Sequence, residues 1–470
     1  MNIFVTGLEN RVINKIFYNL LAKGRIKIIA SLSSNKIQNI KIPYQFIESE
    51  IYQNSFENNS RLKSISNKIY TKNKNILREL LRRVNLVNMN EKEIQSFYIN
   101  RISFFIHLFK NNKINSSFFD STPHFPIQYI IFLVSKYFKN KCIILHRTDI
   151  SNLYLLKSNI SPKNKYKFII KNDVNKNLIN NYFSKKSPSV WQMRSLELNE
   201  RSKNLNKYKF FMAEYIFLTL FIKILFEEIF QKSKSTPSIF FLKKFSFIKR
   251  IYLKCSFVLK YQRISNFIRN NSVRPNLKEK FIYFGLHFQP ERSTLPEGED
   301  FADQIKAIFI LSKSVDNDTH IYVKEHPRQL DLYPDLRRLN FRNINFYKKI
   351  MKLKNVSLVD TYYSSDLLLK NSIINSTITG SIGSDSIKNK RPVILFSDSW
   401  YSESKFCKVV KNISDCKLAL KYFSNKFSFD DSIFIKNLSK NTIKTNIYNS
   451  SLQYPKNNYK QFLEAVSKIL

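Results

Sequence analysis

Glycine is scarce in this chain of 470 residues: there are six, beside 13 prolines, two tryptophans and four cysteines. No G-x-G-x-x-G turn can be found among them, so dinucleotide binding through that fingerprint is not supported. Cys142, Cys255, Cys407 and Cys416 form no C-x-x-C pair, and their spacing suits neither a zinc site nor a disulfide framework. Free thiols in a reducing compartment are expected. There is no H-E-x-x-H and no calcium loop, and the triplet Asp316, Asn317, Asp318 falls before a strand, where it reads as a turn. The expectation is therefore no metal and no cofactor. A membrane-crossing helix needs about 20 mostly uncharged residues. The most apolar stretch, Phe210 to Phe230, is interrupted by Glu214, Lys223, Glu227 and Glu228, and reads as an amphipathic or buried helix. The opening MNIFVTGLEN has no basic region followed by an apolar core, so no secretory signal and a cytoplasmic location are expected.

Acidic residues are also few, 35 against 78 lysines and arginines, which leaves a formal charge of +43. Such a balance ordinarily points to nucleic acid or an anionic surface. Here the whole chain is rich in Asn, Ile, Lys, Phe and Tyr, the substitution pattern that AT-biased coding produces. No nucleic-acid-binding motif accompanies the charge, so no nucleic-acid partner is expected. Peripheral association with an anionic membrane face fits either origin of the charge. Phe240 to Lys254, FFLKKFSFIKRIYLK, mixes aromatics with basic residues as an interfacial segment would; the plain alternative is a helix with a solvated basic face.

What is present is material for packed cores: 43% hydrophobic residues, 14% of the chain aromatic. The length exceeds one ordinary core, so two domains are expected. Asn2 to Thr6 reads as a strand, Asn10 to Leu21 as a helix and Ile26 to Ser31 as a second strand. Further on, Ser116 to Phe119 is a strand leading into a loop with His124, Pro126 to Phe138 a helix, and Lys141 to Leu145 a strand. His124 is an acceptor-side candidate, against the plain alternative of a loop histidine that caps or orients the following helix.

The densest chemistry runs from Phe281 to Gln329. An apolar strand, Phe281 to Leu286, opens into a loop holding His287, Glu291, Glu297, Glu299 and Asp300, with two prolines. A helix is expected from Phe301 to Ser314, its start capped by Glu299 and Asp300. A second strand, His320 to Val323, ends in Lys324, Glu325, His326, Pro327 and Arg328. Later, a strand from Ser372 to Ile378 runs into Thr379, Gly380 and Ser381, and Pro392 to Phe396 is another strand. In open α/β sheets, ligands bind beyond the carboxyl ends of the strands. Lys324 and His326 alternate, and in a strand they would point one way. With Arg328 and the free N–H groups of the glycine turn, they compose a cradle for a departing phosphate. Glu291 and Glu297 are the candidates for a general base or a stabiliser of positive charge. Taken singly, His-Pro ends a strand and Thr-Gly-Ser caps a helix; together with the acidic loop they form a site.

LHFQPERSTLPEGEDFADQ followed by YVKEHPRQ resembles the capsular polysaccharide biosynthesis family, which includes the Kdo transferases of surface-glycan assembly. The likeness covers mainly Phe281 to Tyr401. ITGSIGSDSIKNKRPVILF is similar to that family's glycine turn, helix and strand, except that Ser384 and Asp385 stand where tryptophan and glutamate are common. The resemblance implies a GT-B-like α/β fold: two Rossmann-like domains facing a cleft, with a basic helical insertion between them. Residues 1–150 would form the acceptor-side domain, 151–276 the insertion, and 277–470 the donor domain with C-terminal helices. It further implies a metal-independent glycosyltransferase that takes a nucleotide-sugar donor, CMP-linked by preference and carrying Kdo as one choice, to a glycan or lipid-linked acceptor. The rivals are a CDP-polyol phosphotransferase or nucleotide-sugar epimerase on the same fold, and a non-catalytic scaffold binding polyanion or membrane.

Overall fold

The computed structural model describes residues 1–52, 60–84, 89–161, 165, 173–184, 222, 246–331, 338, 340–424, 430–445, 447 and 459–470. The chain opens with β1 (Asn2–Thr6), α1 (Arg11–Ala22), β2 (Lys27–Ser33) and β3 (Tyr44–Ile47). Helix α1 starts where the Asn10 side chain accepts from the N–H of Val12, and it buries Val12, Ile13, Ile16, Phe17 and Leu20, a run at helical spacing. A short α2 (Glu48–Ile51) precedes two long helices, α3 (Ser60–Val84) and α4 (Glu91–Asn111). Then come β4 (Ser116–Phe119), α5 (Pro126–Tyr137), β5 (Lys141–Arg147), β6 (Leu153–Lys157) and α6 (Asp173–Phe183).

After α7 (Phe247–Asn271) the pattern restarts with β7 (Phe281–Gly285), α8 (Gln304–Ser314), β8 (His320–Lys324), α9 (Ile344–Met351) and β9 (Val356–Val359). It continues through α10 (Ser365–Asn371), β10 (Ile374–Thr377), α11 (Ser381–Lys388), β11 (Val393–Leu395) and β12 (Cys407–Val409). The chain closes with α12 (Ile413–Ser424), α13 (Ser432–Asn441), β13 (Thr442–Lys444) and α14 (Lys460–Ile469).

Two sheets result, so the molecule is α/β with two Rossmann-like layers, as expected. The first has the order β13-β6-β5-β4-β1-β2-β3 and is parallel from β3 to β5. The edge strands β6 and β13 each pair antiparallel. The second, β12-β11-β10-β7-β8-β9, is parallel throughout. In both, the first strand lies inside and the winding reverses beside it: between β1 and β4, and between β7 and β10. Such a reversal opens a crevice at the carboxyl ends of the two strands, because the loops on either side leave in opposite directions.

By their contacts the described residues fall into two compact units, the first from Met1–Leu178 with Lys436–Leu470, the second from Leu242–Ile435 with the part of α6 that begins at Ile179. The end of the chain, read from sequence as helical and as part of the donor domain, thus contributes a strand and a helix to the first unit. Phe462, Ala465, Val466 and Ile469 of α14 join the cluster that holds Ile3, Phe17, Phe118 and Ile143. The stretch 151–276 likewise begins with a strand of the first sheet, β6, before α6 and α7. Apart from Ile222, the apolar stretch from Phe210 to Phe230 lies outside the described residues, as do residues 240–245. Among the described residues no helix is long and apolar enough to cross a membrane. No disulfide joins Cys142, Cys255, Cys407 and Cys416.

The helix expected from Phe301 begins later. Residues Glu299–Ala302 make a separate 3-10 turn, and the cap of α8 is Asp303, whose carboxylate accepts from the N–H of Ile305 at 3.2 Å. Glu299 instead pairs with Lys411 on the surface at 2.7 Å. Asp303 wins because a cap must sit one residue before the first helical turn with extended backbone, and its φ of −80° and ψ of 98° meet that need. Asp316 accepts the N–H of Thr319 through its carbonyl, the turn that the sequence indicated.

Candidate functional site

The crevice of the second sheet is built around His287, which follows β7 and is 4% exposed. Its Nε2 lies 3.0 Å from the Thr377 hydroxyl and 3.3 Å from the N–H of Thr379, at the end of β10. A backbone N–H can only donate, so Nε2 accepts and Nδ1 carries the ring proton. That proton faces the Ser293 hydroxyl at 3.2 Å, and Ser293 in turn donates to Glu291 Oε2 at 2.8 Å. The chain Thr379, His287, Ser293, Glu291 thereby spans the reversal between β7 and β10. A second tie closes it: the Thr379 hydroxyl donates to the Ser293 carbonyl at 2.6 Å. Burial pushes the Glu291 carboxyl up, but hydrogen bonding from His287 and the Ser293 hydroxyl, with His326 nearby, outweighs it, leaving it below the usual range. Its side chain keeps 39% exposure, so an ionised carboxylate reaches solvent from a fixed base.

Gly380 is required by space. A Cβ there would lie 2.8 Å from the Thr377 hydroxyl and 3.1 Å from His287 Cε1. The glycine precedes α11 without any side-chain cap, and the first N–H groups of that helix, on Ser381 and Ile382, have no acceptor among the described residues. Tyr401 donates its hydroxyl to the Gly380 carbonyl, pinning the turn from behind. Thr379, Gly380 and Ser381 are all half-buried. An uncapped helix start with open N–H groups is suited to an anion.

The loop after β8 is fixed by a buried ion pair. Arg342 Nε meets Glu325 Oε2 at 2.7 Å, with side chains 3% and 1% exposed. Tyr347 also donates to Glu325 Oε2, at 2.7 Å, while Glu325 Oε1 accepts the N–H of His326 at 2.8 Å. The same guanidinium reaches across to the His287 carbonyl at 3.1 Å, so one strut braces the loops after β7 and β8. Gln304 adds a second brace: buried at the start of α8, it accepts the N–H of His287 at 2.8 Å.

His326 is not the next residue of a strand. β8 ends at Lys324, and His326 turns to cap the 3-10 segment Pro327–Leu330, its Nδ1 accepting from the N–H of Arg328 at 3.2 Å. The expected strand alternation of Lys324 and His326 is lost because the proline removes an N–H and breaks the ladder. Burial pushes the His326 imidazole down to about 4, against the opposing pull of Glu291 and Glu325. At neutral pH it offers a neutral Nε2–H, not a positive charge. Arg328 is exposed, its guanidinium 5.4 Å from the Phe288 ring centroid. Lys324 is 3% exposed, and its ammonium makes no hydrogen bond or ion pair among the described residues. Burial, opposed by Asp360 and Glu325, brings it down to about 8. On the neighbouring strand Lys324 stands opposite Val359, and two residues beyond, the buried Thr361 hydroxyl also has no partner among the described residues.

Of the residues singled out from sequence, Glu291, His326, Thr379 and Gly380 therefore gather about His287, and Lys324 lies within electrostatic reach of His326. Glu297 sits at the far end of the loop's turn, 7% exposed, its carbonyl accepting from Ser397 at 2.7 Å. Asp385 lies in α11, 3.7 Å from Lys388. His124 belongs to the first unit, where Nδ1 is 2.7 Å from the Thr122 carbonyl. It does not cap α5, whose N-cap is Phe125. Of the hub residues, Ser293, Arg342 and Tyr347 were not singled out, and His287 and Gln304 were noted in the sequence without a role. Only His287, a rare histidine directly after a strand, carried a readable signal. In the first unit the matching crevice joins Thr6 to Asp120 at 2.5 Å, and burial, with Asp120 and Glu9 nearby, pushes Glu48 up to about 8. No cluster of His, Cys, Asp and Glu among the described residues could hold a metal ion.

No known family profile matches the sequence, and no curated protein matches it. Among solved structures it is similar to a β-Kdo 2,7 transferase, KpsC of Thermosulfurimonas dismutans, at 10% identity over 79% of this chain and 90% of that one, with a TM-score of 0.31. It is also similar to the UDP-GlcNAc 2-epimerase of Methanocaldococcus jannaschii, at 11% identity over 91% and 94%, with a TM-score of 0.25. A UDP co-structure of MnaA from S. aureus stands at 11% identity, 94% and 91%, and 0.25. Likeness at this level carries no argument about what the chain binds or does.

Proposed function

We propose that the second unit binds a nucleotide-sugar donor and that the protein is a metal-independent glycosyltransferase of surface-polysaccharide assembly. The observation that supports this best is the pairing, at one sheet reversal, of an open helix start with an ionised, partly exposed carboxylate fixed by a histidine. The N–H groups of Ser381 and Ile382, with Nε2–H of His326 and the cations of Arg328 and Lys324, would receive the donor phosphate as negative charge builds on it. The acceptor hydroxyl attacks the anomeric carbon, the bond from that carbon to the phosphate oxygen breaks, and the hydroxyl proton passes to Glu291. A CMP-linked donor and a glycan or lipid-linked acceptor are the substrates this reading favours, on the strength of the sequence resemblance. Glu297, buried at the other end of the loop, takes the supporting place.

A thermal-shift screen of CMP, UDP and their sugar conjugates tests the reading. At least one nucleotide is expected to raise the Tm, with the shift lost in His326→Ala, and Glu291→Gln is expected to keep the shift while abolishing transfer. If no nucleotide protects the protein, the proposal fails. Conversion of a nucleotide sugar into its epimer with no acceptor present would replace transfer by epimerisation on the same site.

A further inference from the structure

Helix α7 has two dissimilar faces. One buries Phe257, Val258, Tyr261, Ile264 and Ile268 in the second unit. Tyr261 donates to the Arg338 carbonyl at 2.8 Å, and the Arg338 guanidinium lies 4.8 Å from the Phe257 ring centroid, so this face is firmly seated. On the far side stand Ile248, Tyr252 and Leu259, which at 3.6 residues per turn fall within about 40° of one another. They are 78%, 69% and 43% exposed. Single exposed apolar residues need no explanation, but an aligned stripe opposite a buried face does.

The helix itself carries charge of one sign. From Phe247 to Asn271 there is no Asp or Glu, and there are six lysines and arginines. A stretch of 25 residues at the chain's average makeup would hold about two acidic residues. Drift of the whole chain toward lysine explains the surplus of cations; it does not empty one window of anions. Lys249, Arg263 and Arg269 are the exposed basic residues of the helix. A polyanion alone would need only the cations, whereas exposed Ile, Tyr and Leu flanked by Lys and Arg match a lipid surface, with acyl boundary for the stripe and anionic headgroups for the rim.

We propose that the outer face of α7 seats the protein on an anionic lipid bilayer, lying in its interface. The helix is coupled to the candidate site through two hydrogen bonds: Gln329 donates to Tyr261 at 3.3 Å, and the Gln329 side-chain oxygen accepts the N–H of Gln289 at 2.6 Å. Seating would therefore set the loop of Glu291 at a fixed distance from the membrane. The inference stands apart from the proposed reaction and does not require it.

Co-sedimentation of the full chain with phosphatidylcholine vesicles, with and without phosphatidylglycerol, tests it. Binding is expected only with phosphatidylglycerol, weakening as salt is raised. The double variant Ile248→Glu/Tyr252→Glu is expected to bind roughly tenfold more weakly or worse with an unchanged Tm, since both side chains face solvent. Arg263→Glu/Arg269→Glu gives an independent loss by removing only charge. Absence of binding by the natural chain, equal binding to neutral vesicles, or undiminished binding by both variants overturns the proposal. So does a wild-type dimer that ignores vesicles and dissociates in Ile248→Glu/Tyr252→Glu, which would assign the stripe to a second copy.

Discussion

Lys324 is a lysine whose surroundings favour either loss of its charge or an arriving anion. Burying an ammonium is costly, and proteins relieve that cost in one of those two ways. Its folded value of about 8 lies below the ordinary 10.5, so between those limits the unfolded chain holds more protons and stability rises with pH. A bound phosphate reverses the preference by favouring the charged form. Nucleotide binding is therefore expected to take up a proton near pH 8 and to weaken as the pH rises further, and Lys324→Met should lose both effects. Calorimetry in two buffers of different ionisation enthalpy measures the uptake. His326, at about 4 against 6.5, follows the same sign: stability contributed by its neutral form is lost as pH falls through that window.

Among the elements, the loops after β7 and β8 are braced by Arg342 and Tyr347, which lie beyond both loops in sequence and meet Glu325 at the end of β8. A buried pair is a weak source of stability when compared with apolar packing, yet removing one member strands the other's charge. Arg342→Met is expected to destabilise the second unit by about 3–5 kcal/mol, read from urea denaturation. Glu325→Leu/Arg342→Met should recover part of that loss, because no uncompensated charge is left. If the double variant is as unstable as the single one, the strut's bracing of His287 and His326 outweighs the stranded charge. Strand existence here was readable: Phe281 to Leu286, His320 to Val323 and Pro392 to Phe396 are short apolar runs bounded by polar loops. The start of α8 was not, since Glu299, Asp300 and Asp303 are all plausible caps and only the backbone path chooses among them.

At the scale of the molecule, the last helix returns to the first sheet. Phe462 is fully buried there, so Phe462→Ala is expected to cost the first unit about 3–5 kcal/mol. Two-step denaturation should show that loss in one transition only, with nucleotide protection of the other preserved; a uniform shift of both would mean that the units do not unfold separately. Two α/β layers, the positions of most strands, and the loops that carry Glu291, His326 and Gly380 were all legible in the order of residues, because each follows from local periodicity and turn chemistry. Which of those loops meet was settled only by the folded chain. Strand order puts β10 beside β7 across nearly ninety residues of chain, bringing Thr379 to His287. Folding also set Glu291 and not Glu297 against that histidine, made His326 a neutral donor, and joined α14 to the sheet of β1. Those outcomes depend on burial and long-range pairing, and neither is encoded in any short stretch of residues.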